Sequence, residues 1–133
     1  MKNNPTRLPK VYLAGGSHSG WQYEVIKSCS EIEFYDPRTH NLSKPEQYTL
    51  WDMHHIRLSN ILFGCMNKDN PSGYGLSFEV GYAKGLGKTV ILVDEKSSED
   101  EHFQRQFAII REAADICFDS LEDGINYLKS FKS

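Results

Sequence analysis

The apolar positions of this chain form short runs separated by longer periodic stretches. Lys10-Val-Tyr-Leu-Ala14, Ile32-Glu-Phe-Tyr35, Asn60 to Met66, Thr89-Val-Ile-Leu-Val93 and Asp115-Ile-Cys-Phe118 read as strands, Thr89–Val93 most clearly. Between them apolar residues recur at helical spacing. Trp21, Val25 and Cys29 mark a helix to about Ser30. Tyr48 or Thr49, Asp52 or Met53, and Ile56 mark a second, from about Glu46 to Leu58. Phe78, Tyr82 and Leu86 predict the buried stripe of a third, widened by Val80 and Ala83 and stopped at Gly85 or Gly87. Phe103, Phe107 and Ile110 predict one helix over 102–112. Ser120 is placed to cap a last helix, to about Phe131, with Leu121, Ile125 and Leu128 on its face.

Strand and helix thus alternate five times. Parallel strands need right-handed crossovers, so this alternation predicts a parallel sheet with helices on both faces. The expected fold class is a three-layer α/β/α sandwich with a five-stranded parallel sheet, flavodoxin/Rossmann-like, in strand order 2-1-3-4-5. Residues 10–133 form one domain, after a polar lead-in over residues 1–9 that contains Pro5 and Pro9. Ligands of such folds bind beyond the carboxyl ends of the strands, where the strand order reverses. Three turns should gather there: Gly15–Gly20, Asp36–Arg38 and Asn67–Gly75, with Asp94 and Glu95 beside them.

Composition narrows the function classes. A 133-residue chain can bury a proper core. Its net charge of −3 gives no reason to expect a nucleic-acid polymer or an anionic membrane as partner. Three cysteines, Cys29, Cys65 and Cys117, are odd in number and far apart. That argues against a disulfide framework or a zinc site and fits a reducing cytoplasm. No apolar run approaches the length of a bilayer span, and the first residues lack the apolar segment of a signal peptide.

The candidate chemistry centres on Glu79, near the start of the third helix and beside its apolar stripe. A carboxylate at a cleft edge can serve as nucleophile or general acid/base. An early glutamate also complements the helix dipole without doing chemistry. Gly15, Gly16 and Gly20 make a glycine-rich turn between strand and helix, whose backbone N–H groups, with Ser17, His18 and Ser19, can hold an anion or a sugar hydroxyl. It is not the dinucleotide fingerprint. Gly85-Leu-Gly-Lys-Thr89 resembles a P-loop fragment, but Tyr82 stands where the first glycine belongs, and the segment follows a helix. His54 and His55 are adjacent on a helix and point about 100° apart, which does not suit one metal ion. No metal or other cofactor is expected.

Gly75-Leu-Ser-Phe-Glu-Val-Gly-Tyr-Ala83, followed by Gly87-Lys88 and a Val/Ile/Leu strand, resembles the signature of the nucleoside 2-deoxyribosyltransferases. Tyr12-Leu-Ala-Gly15 and Asp52…Ile56…Ser59-Asn60 extend the match over roughly residues 10–94. The chain also resembles the related deoxynucleoside 5′-monophosphate N-glycosidases. The resemblance implies N-glycosyl transfer on 2′-deoxynucleosides, with Glu79 as nucleophile and a covalent deoxyribosyl ester. It implies that Asp52 orients or protonates groups at the site. Trp21 and Gln22 stand where the family contacts base and sugar; Trp21 can stack on a base or pack in the core. Asp36, Arg38, Gly75 and Ser77 complete the expected substrate-binding set with Gly15, Gly16 and Ser17. The partners implied are a deoxynucleoside or deoxynucleotide, a free nucleobase, and further copies of the chain in a homo-oligomer, for which Phe103, Phe107, Tyr127 and Phe131 offer apolar surface.

The chain departs from the family where an aspartate usually precedes the Glu79 motif. Asn70-Pro-Ser-Gly-Tyr74 stands there, with Asp69 further back, and Asn60 replaces another common aspartate. The phosphate-friendly first turn keeps hydrolysis of deoxynucleoside 5′-monophosphates open beside transfer. A catalytically silent nucleotide-sensing module is the third reading.

Overall fold

A computed structural model describes residues 8–69 and 73–131. The lead-in expected over residues 1–9 therefore lies, apart from residues 8 and 9, outside the described residues, as does the middle of the Asn67–Gly75 turn. The elements run β1 (Lys10–Gly15), α1 (Trp21–Ser28), β2 (Glu33–Tyr35), α2 (Pro45–Leu58), β3 (Ile61–Met66), α3 (Tyr74–Gly85), β4 (Thr89–Asp94), α4 (Glu101–Gln106), α5 (Ala108–Ala113), β5 (Ile116–Phe118) and α6 (Leu121–Lys129). All strand pairs are parallel and the sheet order is β2-β1-β3-β4-β5. The chain steps from β1 to β2 on one side, then crosses back to place β3 on the other. That reversal opens a crevice at the carboxyl ends of β1 and β3.

Alternation along the central strands feeds two separate cores. Val11, Leu13, Phe63, Ile91 and Val93 face α1 and α6, where they meet Trp21, Val25, Ile125 and Leu128. Tyr12, Ala14, Leu62, Val90 and Leu92 face the opposite layer, against Ile56 of α2, Leu76, Val80 and Ala83 of α3, and Phe103, Phe107 and Ile110. Among the described residues, no helix is long and apolar enough to cross a membrane.

Two periodicities resolve differently from expectation. The buried stripe of α3 is Leu76, Val80 and Ala83; Phe78 and Leu86 are 52 % and 41 % exposed. Phe78 instead stacks on Tyr82, whose hydroxyl accepts from Arg57 Nη1 of α2. The cause is steric. Gly64 leaves room on β3 into which Leu76 packs, its Cδ1 only 3.0 Å from where a Cβ would stand, so this side of α3 lies against the sheet. The single helix expected over 102–112 is two helices broken at Phe107 (φ −110°, ψ 17°). The break lets Phe107 wedge against Gly73, where a Cβ would lie 2.1 Å from its ring. Phe103 and Phe107 are consequently core residues and not spare surface for a partner.

The turns at the carboxyl edge are tied together. Ser19 Oγ donates to Asn67 Oδ1, and Asn67 Nδ2 donates to Glu95 Oε1 at 3.1 Å. Glu95 also accepts from Leu121 N at the start of α6. Gly15 ends β1 with φ +139°, and a Cβ there would fall 2.4 Å from the Cys65 carbonyl oxygen. Only glycine lets β1 approach β3 this closely at the crevice.

Gly124 and Gly81 test the packing in opposite directions. A Cβ on Gly124 of α6 would meet Val93 Cγ2 at 2.5 Å, whereas one on Gly81 of α3 meets nothing within 4 Å. Gly124→Ala should lose about 1–3 kcal/mol by overpacking, despite the helix-propensity gain. Gly81→Ala should gain about 0.5–1 kcal/mol. Urea unfolding of both variants reads this, and a stabilised Gly124→Ala would contradict the α6 packing.

Candidate active site

Tyr12 is the one polar side chain on the inner positions of β1, and its hydroxyl needs a partner once buried. It finds Glu79: Tyr12 Oη donates to Glu79 Oε2 at 2.8 Å. Glu79 borders the true stripe of α3, one residue before Val80 and four before Ala83. Its carboxyl therefore turns toward the sheet and not to the outer solvent. Asp52, half-buried on α2, closes the group and lies within interaction range of both Tyr12 and Glu79. Three elements thus converge on one cluster: a strand tyrosine, a helix glutamate and an aspartate from the neighbouring helix.

The electrostatics follow from this confinement. Burial pushes Glu79 up to about 8; the facing Asp52 adds to the rise, while the Tyr12 hydrogen bond opposes it. Asp52 is also raised by burial, against the opposing influence of the Glu79, Tyr12, His40 and His55 side chains around it. The Tyr12 phenol is driven far above its ordinary value by burial and by the two carboxyls, so it is a permanent donor. Two carboxyls this close cannot both ionise cheaply, so the pair holds on to a proton above the ordinary carboxylate range.

A cavity of about 530 Å³ adjoins this cluster, lined by Gly15, Ser17, Gln22, Arg38, His40 and the turn through Asn41 and Leu42. His40 connects the two, its Nε2 3.9 Å from Asp52 Oδ1. Gly16 turns its carbonyl inward, accepting from Trp21 Nε1 at 2.9 Å and Gln22 Nε2 at 3.0 Å. Of the two roles open to Trp21, the structure places its ring in the core, 2 % exposed and stacked on Phe63. Because Gly16 fixes the Gln22 amide nitrogen, Gln22 Oε1 is the other end of the amide, buried without a hydrogen-bond partner among the described residues. Asp36 is buried and holds Arg38, accepting from Nε and from Nη2, the latter at 2.7 Å. Asp36 thus orients the guanidinium that lines the cavity. Gly75 is exposed in the first turn of α3, and Ser77 Oγ donates to the Gly73 carbonyl at 2.6 Å; neither lines the cavity.

Two residues of this cluster escape a pattern-based reading. Tyr12 is hidden inside an apolar run, and its signal is a hydroxyl where every neighbour is apolar. His40 lies in a polar loop, and only the fold brings it to Asp52.

Known structures place this geometry in context. Over 93 % of this chain and 99 % of the other, the fold matches a conserved protein from Enterococcus faecalis V583 (TM-score 0.69, 15 % identity). It matches the 2-desoxiribosyltransferase from Leishmania mexicana over the same shares (TM-score 0.67, 17 % identity). It matches the CMP N-glycosidase BcmB from Clostridium botulinum over 92 % of this chain and 98 % of that one (TM-score 0.62, 18 % identity). The chain has the fold of a deoxyribosyltransferase and of an N-glycosidase. No family model matches it, and no curated protein matches its sequence. The structural likeness agrees with the resemblance read from residues 10–94 and, at these identities, speaks for the architecture.

The raised Glu79 carboxyl makes stability depend on pH. The folded state keeps a proton that the unfolded chain releases above 4.5, the ordinary value of the group. The stability tied to that proton is present at low pH and is lost as pH rises toward about 8. Glu79→Gln keeps the shape without the acid. Its melting temperature should equal that of wild type at about pH 4 and exceed it by several degrees from about pH 8 upward. Thermal melts across this range check it; a difference that does not grow with pH would contradict the buried pair.

Proposed function

We propose that the protein moves 2-deoxyribose between nucleobases, with Glu79 as nucleophile and Asp52 as acid–base partner. The observation that carries this reading is the Glu79 carboxyl, held by the Tyr12 hydroxyl and opposed by Asp52 beside the crevice of a parallel sheet. The likeness in fold to a 2-desoxiribosyltransferase supports it.

The shared proton gives the pair its working states. In the reactive form it rests on Asp52, and Glu79 is ionised, a state that the Tyr12 hydrogen bond favours. A Glu79 oxygen attacks C1′ of the nucleoside. The C1′–N bond breaks, its electron pair leaves with the base, and Asp52 gives the base its proton. A deoxyribosyl ester remains on Glu79. The incoming base attacks C1′, the ester C1′–O bond breaks, and the Glu79 carboxylate is restored. The N–H proton of the incoming base passes to Asp52. Two inversions give overall retention. The transition state carries oxocarbenium character, which an anion beside C1′ stabilises. Gln22 lines the cavity, and its Oε1, without a hydrogen-bond partner among the described residues, suits a hydroxyl of the sugar.

One observation favours a second reading, hydrolysis of a deoxynucleoside 5′-monophosphate. Asp36 engages Nε and Nη2 of Arg38 and not Nη1, and Arg38 lines the cavity together with Ser17. A phosphate suits that lining. The fold likeness to the CMP N-glycosidase runs the same way. Water then takes the place of the incoming base.

The acceptor separates the two. Incubation with a deoxynucleoside and a second free base should yield the exchanged nucleoside. Release of base and deoxyribose 5-phosphate from a monophosphate, without exchange, would instead establish hydrolysis. In either case Glu79→Ala should lower turnover at least about 10³-fold. Asp52→Asn should cost about 10²–10⁴-fold. A wild type that binds nucleotides and turns over none of a broad panel would overturn both.

A further inference from the structure

His40 sits in the loop between β2 and α2, and the chain there is turned by Asn41 at φ 55°. Asparagine tolerates this left-handed backbone better than most residues. The turn brings the Leu42 N–H onto His40 Nδ1 at 2.9 Å. A ring nitrogen that accepts carries no proton, so the neutral imidazole holds its proton on Nε2. The ring plane is fixed as well. It meets Trp51 edge-on at 5.0 Å and 70°, and lies parallel to Tyr48 at 6.4 Å and 5°. Its side chain is only 13 % exposed.

Nε2 faces Asp52 Oδ1 at 3.9 Å, too far for a hydrogen bond. Oδ1 is itself buried and has no hydrogen-bond partner among the described residues. A carboxyl oxygen left in this way costs free energy. Hydrogen bonds among catalytic groups are often long in the free enzyme and tighten in the substrate complex. His40 also lines the cavity, so a bound substrate touches the ring that has to move.

We propose that His40 is a positioning residue for Asp52. Its Nε2–H closes on Asp52 Oδ1 in the substrate complex and fixes the carboxyl so that the other oxygen faces Glu79 and the leaving base. Protonation of the base, and not nucleophilic attack, is the step that His40 serves. The inference rests on the glycosyl-transfer reading.

The test compares His40→Ala and His40→Gln on two substrates: the deoxynucleoside that wild type turns over fastest, and 7-methyl-2′-deoxyguanosine, whose base departs without needing a proton. His40→Ala should lower kcat about 100-fold on the first with little change in KM, and far less on the second. His40→Gln, whose amide N–H stands near the position of Nε2, should recover most of the loss. In an Asp52→Asn background, His40→Ala should add little further loss. Equal losses on both substrates, no recovery by glutamine, or full additivity with Asp52→Asn would each overturn the proposal. Nitrogen NMR of the imidazole supplies a readout that needs no turnover. Wild type should show the Nε2–H tautomer, with a signal that moves in Asp52→Asn. A proton on Nδ1, or no response to Asp52→Asn, would overturn the contact. If the NMR result holds while no deoxynucleoside is cleaved, the glycosyl reading falls and the catalytic role of His40 falls with it.

Discussion

Two carboxyls and a phenol share one half-buried site, and much of the local structure is arranged around that cost. A charged carboxylate taken from water loses several kcal/mol of hydration unless it is paired and hydrogen-bonded. Here the partners are partial. Tyr12 gives Glu79 one good hydrogen bond, while Asp52 stands opposite as a second acid and leaves Oδ1 without a hydrogen-bond partner among the described residues. A sequence selected only for stability would fill this place with apolar side chains. Keeping an unfavourable arrangement in a crevice is what a reactive site looks like in free-energy terms.

The fold makes that arrangement rigid. Tyr12 is set by alternation along β1, since Val11 and Leu13 on either side face the other core. Glu79 is set by the docking of Leu76, Val80 and Ala83 against the sheet. Asp52 comes from α2, which α3 contacts through Arg57 and Tyr82. None of these three side chains depends on a long loop. The cavity beside them is different: its walls come from the turn after β1 and the loop after β2. The carboxyl pair on rigid elements and the cavity walls on turns follow a division common to open α/β sheets.

Much of this was legible in the sequence because strands and helices alternate with clean breaks between them. Five apolar runs form five strands, all paired in parallel as their alternation with helices predicts. The failures share a cause. Phe78 and Leu86 have the right spacing for a buried stripe, yet α3 presents Leu76, Val80 and Ala83 to the sheet. Spacing identifies a face but not which of two adjacent apolar faces wins; the space above Gly64 decides it. The break at Phe107 answers to Gly73, 34 positions away in the chain, and no local pattern encodes it. Glu79 and Asp52 were readable from a motif. Tyr12 was concealed in a strand, and the contact of His40 with Asp52 is purely tertiary.

The central claim is that the Glu79 carboxyl bonds to an anomeric carbon. A 2′-deoxy-2′-fluoroarabinosyl nucleoside with a good leaving base, and no acceptor base added, tests it most directly, because fluorine slows both steps while the leaving base keeps formation of the glycosyl ester faster than its breakdown. Intact mass spectrometry after incubation should show the protein heavier by one fluorinated sugar, and peptide mapping should find that mass on Glu79. Release of base with no adduct, or an adduct on any other residue, would contradict the account.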